Sequence, residues 1–168
     1  MTLAQSPHIP SEGRRPRLKD LRWLVGFSCR GLFELIRARL IFANLKAKAI
    51  PARNRASQES ENAEKVIAPA QLARIAYVLP RISDRIPWRS DCLVQAIAAQ
   101  NWLSAIGEAS EIQIGVEHPA DGAFGAHAWL LCKEQVVTGG DIDRYHLILS
   151  DSRLDRDSDN QDEGSEGN

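Results

Sequence analysis

Around Gly107 the spacing of apolar residues changes from helical to alternating, and that change limits the folds open to the chain. From Leu18 to about Ala49 the apolar residues Leu21, Leu24, Val25, Leu32, Leu35, Ile36, Leu40 and Phe42 recur at helical spacing. Arginines fill the remaining face, so one long helix or a helix pair is predicted. A shorter helix is predicted over Pro69 to Leu79, with Leu72, Ile75, Ala76 and Leu79 on one face and Pro80 helping to end it. A further helix runs from Cys92 to about Ala105, capped by Ser90 or Asp91 and stopped at Gly107. Its buried stripe would be Leu93, Ala96, Ile97, Trp102 or Leu103, and Ile106. Then Ile112, Ile114 and Val116 alternate with Gln113, Gly115 and Glu117, as in a half-buried strand. After a Pro/Gly/Asp loop at residues 118–125, a strand over Ala126 to Lys133 turns at Glu134-Gln135 into Val136 to Thr138. Tyr145 to Leu149 makes a last strand. Helices first and an antiparallel meander afterwards argue an α+β fold.

At 168 residues the chain has room for one domain with extensions rather than two full domains. Residues 1–17, with Pro7, Pro10, Gly13 and Pro16, read as a disordered arm, and residues 151–168 as an acidic disordered tail. Residues 18–62 then form a basic helical extension and a linker, the polar break at 51–62, and residues 63–150 the core. A net charge of −1 conceals arginines and lysines crowded into the first third, from Arg14, Arg15 and Arg17 to Arg53 and Arg55. No nucleic-acid reading motif accompanies them, so nucleic acid is not an expected partner. A helix packed on its own domain with a solvated basic face explains them, and a partner-peptide or membrane-surface role is the alternative.

Arg22, Arg30, Glu34, Arg37 and Arg39 interrupt the richest apolar zone, so no transmembrane segment is expected. The front lacks the uninterrupted apolar run of a signal peptide, and a cytoplasmic location is expected. The three cysteines, Cys29, Cys92 and Cys132, are too scattered for a disulfide framework or a zinc site. Neither a metal nor another cofactor is expected.

Two of these residue types can do chemistry together. A thiol attacks a carbonyl as thiolate, and a free cysteine, with a pKa of about 8.5, is mostly protonated at neutral pH. Cys92 opens a helix, where unpaired N–H groups and the helix dipole favour negative charge on its sulfur and on a tetrahedral oxyanion. His127, on a later strand, would accept the thiol proton and return it to a leaving amine. A carboxylate would fix the ring's other nitrogen. Asp141 is the best candidate and Asp143 the second, although Asp141 needs a bulge or bend that Gly139-Gly140 would permit. A buried cysteine and an ordinary strand histidine are the plain alternatives. Asp91 beside Cys92 disfavours a thiolate unless it faces away as a cap. Cys29 and Cys132 read as structural, and neither His118 nor His146 pairs clearly with Cys92. Trp88 and Trp129 would wall the cleft or pack in the core.

Trp88-Arg89-Ser90-Asp91-Cys92-Leu93-Val94-Gln95-Ala96, then Ala126-His127-Ala128-Trp129, then Val136 to Tyr145 resemble the leader peptidases of lasso-peptide biosynthesis. These are the stand-alone peptidase half of the split B protein, in the transglutaminase-like and papain-like cysteine peptidase superfamily. The resemblance covers about Ala68 to Leu149. It implies a helical N-terminal part followed by a core in which the cysteine, at a helix N-terminus, packs on a small antiparallel sheet. It also implies a Cys-His-Asp triad that removes the leader from a ribosomally made precursor through an acyl-enzyme. Cys92 is then nucleophile, His127 base and Asp141 the carboxylate. The implied partners are the precursor peptide, a separate leader-recognition protein and an ATP-dependent lasso cyclase. The match departs at two positions. The acid expected about a dozen residues after the histidine falls near Gly139, and Ile86 stands where papain-like peptidases keep an oxyanion-hole glutamine. Acyl transfer to an amine and a non-catalytic peptide-binding module with a basic helical front are the rival readings.

Overall fold

The computed structural model describes residues 21–44, 49–59, 67–88, 91–117 and 125–150. They run α1 (Leu21–Asn44), α2 (Ile50–Glu59), α3 (Pro69–Ser83), α4 (Cys92–Ser104), β1 (Glu111–Glu117), β2 (Gly125–Cys132), β3 (Gln135–Thr138) and β4 (His146–Leu149). This is the α+β order that the change of period predicts. The arm at 1–17, the acidic tail at 151–168 and most of the loop at 118–125 lie outside the described residues.

The strands form one antiparallel sheet in the order β3-β2-β1-β4. Alternation assigns the two faces of β2. Ala128, Leu130 and Cys132 are buried, Leu130 and Cys132 in one core with Ile112, Val137 and α4. Helix α4 is buried from Ala96 to Leu103, because α1 packs on one side of it and the sheet on the other. Its small residues Ala96, Ala98 and Ala99 let both neighbours approach. Fully buried residues such as Leu35, Ile75, Leu79, Ile97 and Leu130 each contribute about 1.5–3 kcal/mol of burial.

Four local expectations change. First, the polar break at 51–62 is helical through Glu59, with Pro51 in the first turn, where a missing N–H is harmless. Its polar residues Asn54 and Ser57 are interior. Asn54 donates to the Ile112 carbonyl and accepts from the Ile112 N–H, both at 2.9 Å, as a neighbouring strand would. Gln100 donates to Asn54 at 3.0 Å, and Ser57 accepts from the Ser110 N–H at 3.2 Å. Arg53 reaches Gln100 and Asn101, and burial first, Arg37 second, push its guanidinium down from its ordinary value. Polarity that reads as a linker thus closes the edge of β1 beyond β4.

Second, α3 passes through Pro80 to Ser83. An internal proline costs about 3 kcal/mol. Here Leu79 and Ser83 are buried, Ile82 packs on the core and the Arg81 side chain donates to the Tyr77 carbonyl, all of which hold the last turn. Third, the β2–β3 turn is Lys133-Glu134, both at positive φ (50° and 62°), one residue earlier than expected. Fourth, α1 does not bury one face containing all of its apolar residues. Leu35 and Ala38 are buried, whereas Val25, Leu32, Ile36 and Leu40 lie on the opposite, exposed side.

Candidate active site

Asp91 is extended (φ −61°, ψ 162°) and turns the chain into α4, so Cys92 is the first residue of a 13-residue helix. Asp91 is exposed at the N-cap and makes no side-chain cap hydrogen bond, so the first-turn N–H groups are not used up by its carboxylate. The half-buried Cys92 accepts, at its Sγ, the N–H of Ala128 at 3.4 Å. Ala128 follows His127 on β2. The contact sets the Cys92 sulfur against the strand that bears His127, 35 residues further along the sequence, and the Ala128 N–H dipole adds to that of the helix start.

His127 is held on both of its aspects. Its Nε2 lies 2.7 Å from the Gly139 carbonyl oxygen. A carbonyl only accepts, so Nε2 carries the proton and Nδ1 is left as the basic nitrogen of the neutral ring. The ring stacks on Tyr145 at 4.8 Å between centroids and 26° between planes, with Trp129 at 6.2 Å. The Trp129 indole N–H donates to Gln113 at 2.9 Å on the neighbouring strand. Trp129 lies across Gly115, where a Cβ would come within 2.7 Å of its ring, so this aromatic layer requires glycine there. Trp129 is thus a buried support for the His127 side of the sheet.

The hydrogen bond to Gly139 follows from the end of β3. Leu130 pairs with Thr138 and Leu131 with Val136, so Val137 is an extra, bulged residue. Beyond Thr138 the chain turns through Gly139 (φ 111°) and Gly140 (φ 67°). A Cβ on Gly139 would stand 2.4 Å from Trp129 Cβ, so the backbone that faces His127 is glycine by steric necessity.

Asp141, the carboxylate favoured by the sequence, faces its own loop. It is exposed, and its Oδ1 accepts the Asp143 N–H at 3.1 Å in an Asx turn. Asp143 is exposed on the same loop. That loop delivers Tyr145 to His127 and Arg144 to Tyr145, whose hydroxyl accepts from the guanidinium at 3.0 Å. This hydrogen bond, and then Glu117, push the Arg144 guanidinium above its ordinary value. Sequence reasoning missed Gly139 and Tyr145. The paired glycines a dozen residues after His127 were the available signal for the first, and Tyr145 carried none.

The remaining candidates stand apart. Cys132 is buried in the core, as a structural cysteine would be, whereas Cys29 is exposed on the outer side of α1. His146 is exposed on β4, and His118 lies outside the described residues. Ile86, in the glutamine's place, packs on the core. The buried Trp88 indole nitrogen has no hydrogen-bond partner among the described residues. Among those residues no group of three or more His, Cys, Asp and Glu is placed to hold a metal ion. No helix there is long and apolar enough to cross a membrane.

The model of the family described as Transglutaminase-like superfamily matches residues 32–150, and the chain belongs to that superfamily. Its activity is accordingly of the cysteine peptidase or acyltransferase type. The matched span begins inside α1 and takes in α2, and both helices pack on the elements that carry the site. Neither a curated protein nor a solved structure matches the chain.

Proposed function

We propose that this chain is a cysteine peptidase that removes the leader from a ribosomally synthesised lasso-peptide precursor. The observation that carries the peptidase reading is the Ala128 N–H on Cys92 Sγ beside a His127 whose Nε2 proton is already engaged. His127 Nδ1 takes the thiol proton, and the sulfur attacks the scissile carbonyl. The C–S bond forms, and first-turn N–H groups of α4 hold the oxyanion. As the C–N bond breaks, the imidazolium returns its proton to the leaving amine. Water then adds to the thioester with His127 as base, releasing the new carboxylate and the thiol.

The Gly139 carbonyl takes the orienting role that the resemblance implies for Asp141. A carbonyl selects the tautomer as a carboxylate does, without adding a full negative charge. Support for the thiolate therefore falls to the α4 dipole and the Ala128 N–H. The narrower assignment, to lasso-peptide precursors, rests on the resemblance around Cys92 and His127. A separate leader-recognition protein and an ATP-dependent cyclase complete the proposed system.

The test incubates the purified chain with precursor peptide and recognition protein and reads products by mass spectrometry. Wild type should give leader and core with the mass of one water added. Cys92→Ala and His127→Ala should give neither while keeping their circular dichroism. Normal cleavage by Cys92→Ala would sink the peptidase reading, and a product lighter by ammonia would assign acyl transfer instead.

A further inference from the structure

Helix α1 has two apolar faces, and the described residues cover one of them. Leu35 and Ala38 are buried and Phe27 packs on the core, whereas Val25, Leu32, Phe33, Ile36 and Leu40 are 38% to 67% exposed. From Val25 to Leu40 the exposed residues form one straight stripe about 22 Å long at 1.5 Å per residue. Helical geometry sets Arg30 and Arg37 along one border of the stripe, Arg39 along the other and Arg22 near its start. The single carboxylate of α1, Glu34, is fully buried, 2.7 Å from the Arg30 guanidinium and 3.8 Å from that of Arg37. The helix thus carries four arginines against one acid, and the acid is not on the outer face. The adjoining sequence is basic on balance, with Arg14, Arg15, Arg17 and Lys19 against Glu12 and Asp20 before the helix and Lys46 and Lys48 after it.

We propose that the outer face of α1 docks the protein on an anionic lipid surface. The stripe enters the headgroup boundary, and the guanidiniums at its borders reach the phosphates. Charge complementarity selects this occupant. An extended anionic surface takes up Arg22 and Arg39, and the guanidinium N–H groups of Arg30 and Arg37 that Glu34 leaves over, without specific pairing, whereas a folded partner would satisfy only a few. Nucleic acid would leave the five apolar side chains in water. Such a helix lies on the bilayer rather than crossing it. Because α4 lies between α1 and β2, docking leaves the His127 side of the sheet facing solution. The inference stands on α1 alone and is independent of the peptidase reading.

The test sediments the full chain with vesicles of phosphatidylglycerol and phosphatidylcholine, against vesicles of phosphatidylcholine alone. Wild type should bind the anionic vesicles at least about fivefold better, and less as salt rises. Leu40→Ser and Phe33→Ser should each lower binding about tenfold, and Arg39→Gln by a smaller factor, with circular dichroism unchanged in all three. Equal binding to both vesicle types, or Leu40→Ser binding like wild type, would overturn the proposal. So would a wild-type dimer in solution that Leu40→Ser dissolves, which would make a second copy the occupant. Failure to bind lipid while the chain captures an acidic protein or a nucleic acid would also overturn it.

Discussion

Strand β2 and helix α1 both present side chains of consequence on two opposite faces, and they dispose of the second face differently. In β2, Leu130 and Cys132 enter the core, while His127 and Trp129, on the other side, are covered by Tyr145 and by the bare backbone of Gly115. In α1, Leu35 and Ala38 enter the core, while Leu32, Phe33, Ile36 and Leu40 are exposed and meet no covering element among the described residues. A period of two puts consecutive residues on opposite faces. Core packing can therefore set the height of a reactive side chain one residue away. The contact between Cys92 Sγ and the Ala128 N–H uses this, because the backbone at Ala128 belongs to both faces. A helix spreads its faces around a cylinder, and covering the second one requires another body.

The largest test of this contrast is within β2. His127→Ala should lower kcat/KM by on the order of a thousandfold or more while the urea midpoint moves little. Leu130→Ala should cost about 2–5 kcal/mol in urea unfolding, with activity following the folded fraction. If His127→Ala unfolds the chain instead, the two faces of β2 are not separable. On α1 the same truncation should split by face: Leu35→Ala at about 2–5 kcal/mol and Leu40→Ala within about 0.5 kcal/mol, read by the same unfolding curves. Comparable losses would mean that the outer face is covered after all.

Gly139→Ala places a Cβ against Trp129 and should cost about 1–3 kcal/mol and lower activity together. A fully active, stable Gly139→Ala would remove the carbonyl from its orienting role. Tyr145→Ala should lower kcat about tenfold with KM little changed, by releasing the imidazole, and Tyr145→Phe should restore it, since the stack survives. The smallest effect belongs to Asp141→Asn. The amide oxygen still accepts the Asp143 N–H, so kcat/KM should stay within about twofold. A drop of tenfold or more would return the orienting role to the carboxylate.

Much of this arrangement was legible in residue spacing. Alternation from Ile112 onward marked the strands to within a residue or two, and Gly107 marked the end of α4. The positions of Cys92 at a helix start and His127 on a strand followed from the same patterns, because each depends only on local periodicity and capping. Helix α2 was not legible. Asn54 and Ser57 look like loop residues until the unpaired Ile112 backbone and the Ser110 N–H are set against them. The continuation of α3 through Pro80 was hidden for a related reason, since long-range packing outweighs a local penalty.

The sequence alone determined the α+β order, the elements that bear Cys92 and His127, and the basic character of the first third, all properties that repeat every two to four residues. Only the tertiary structure decided which side of α1 is covered, that Asn54 stands in for a strand, and that Gly139 rather than Asp141 meets His127. A one-residue bulge at Val137 and two positive-φ glycines set that last contact. Register and turn geometry arise from pairing between distant segments, and no local period encodes them.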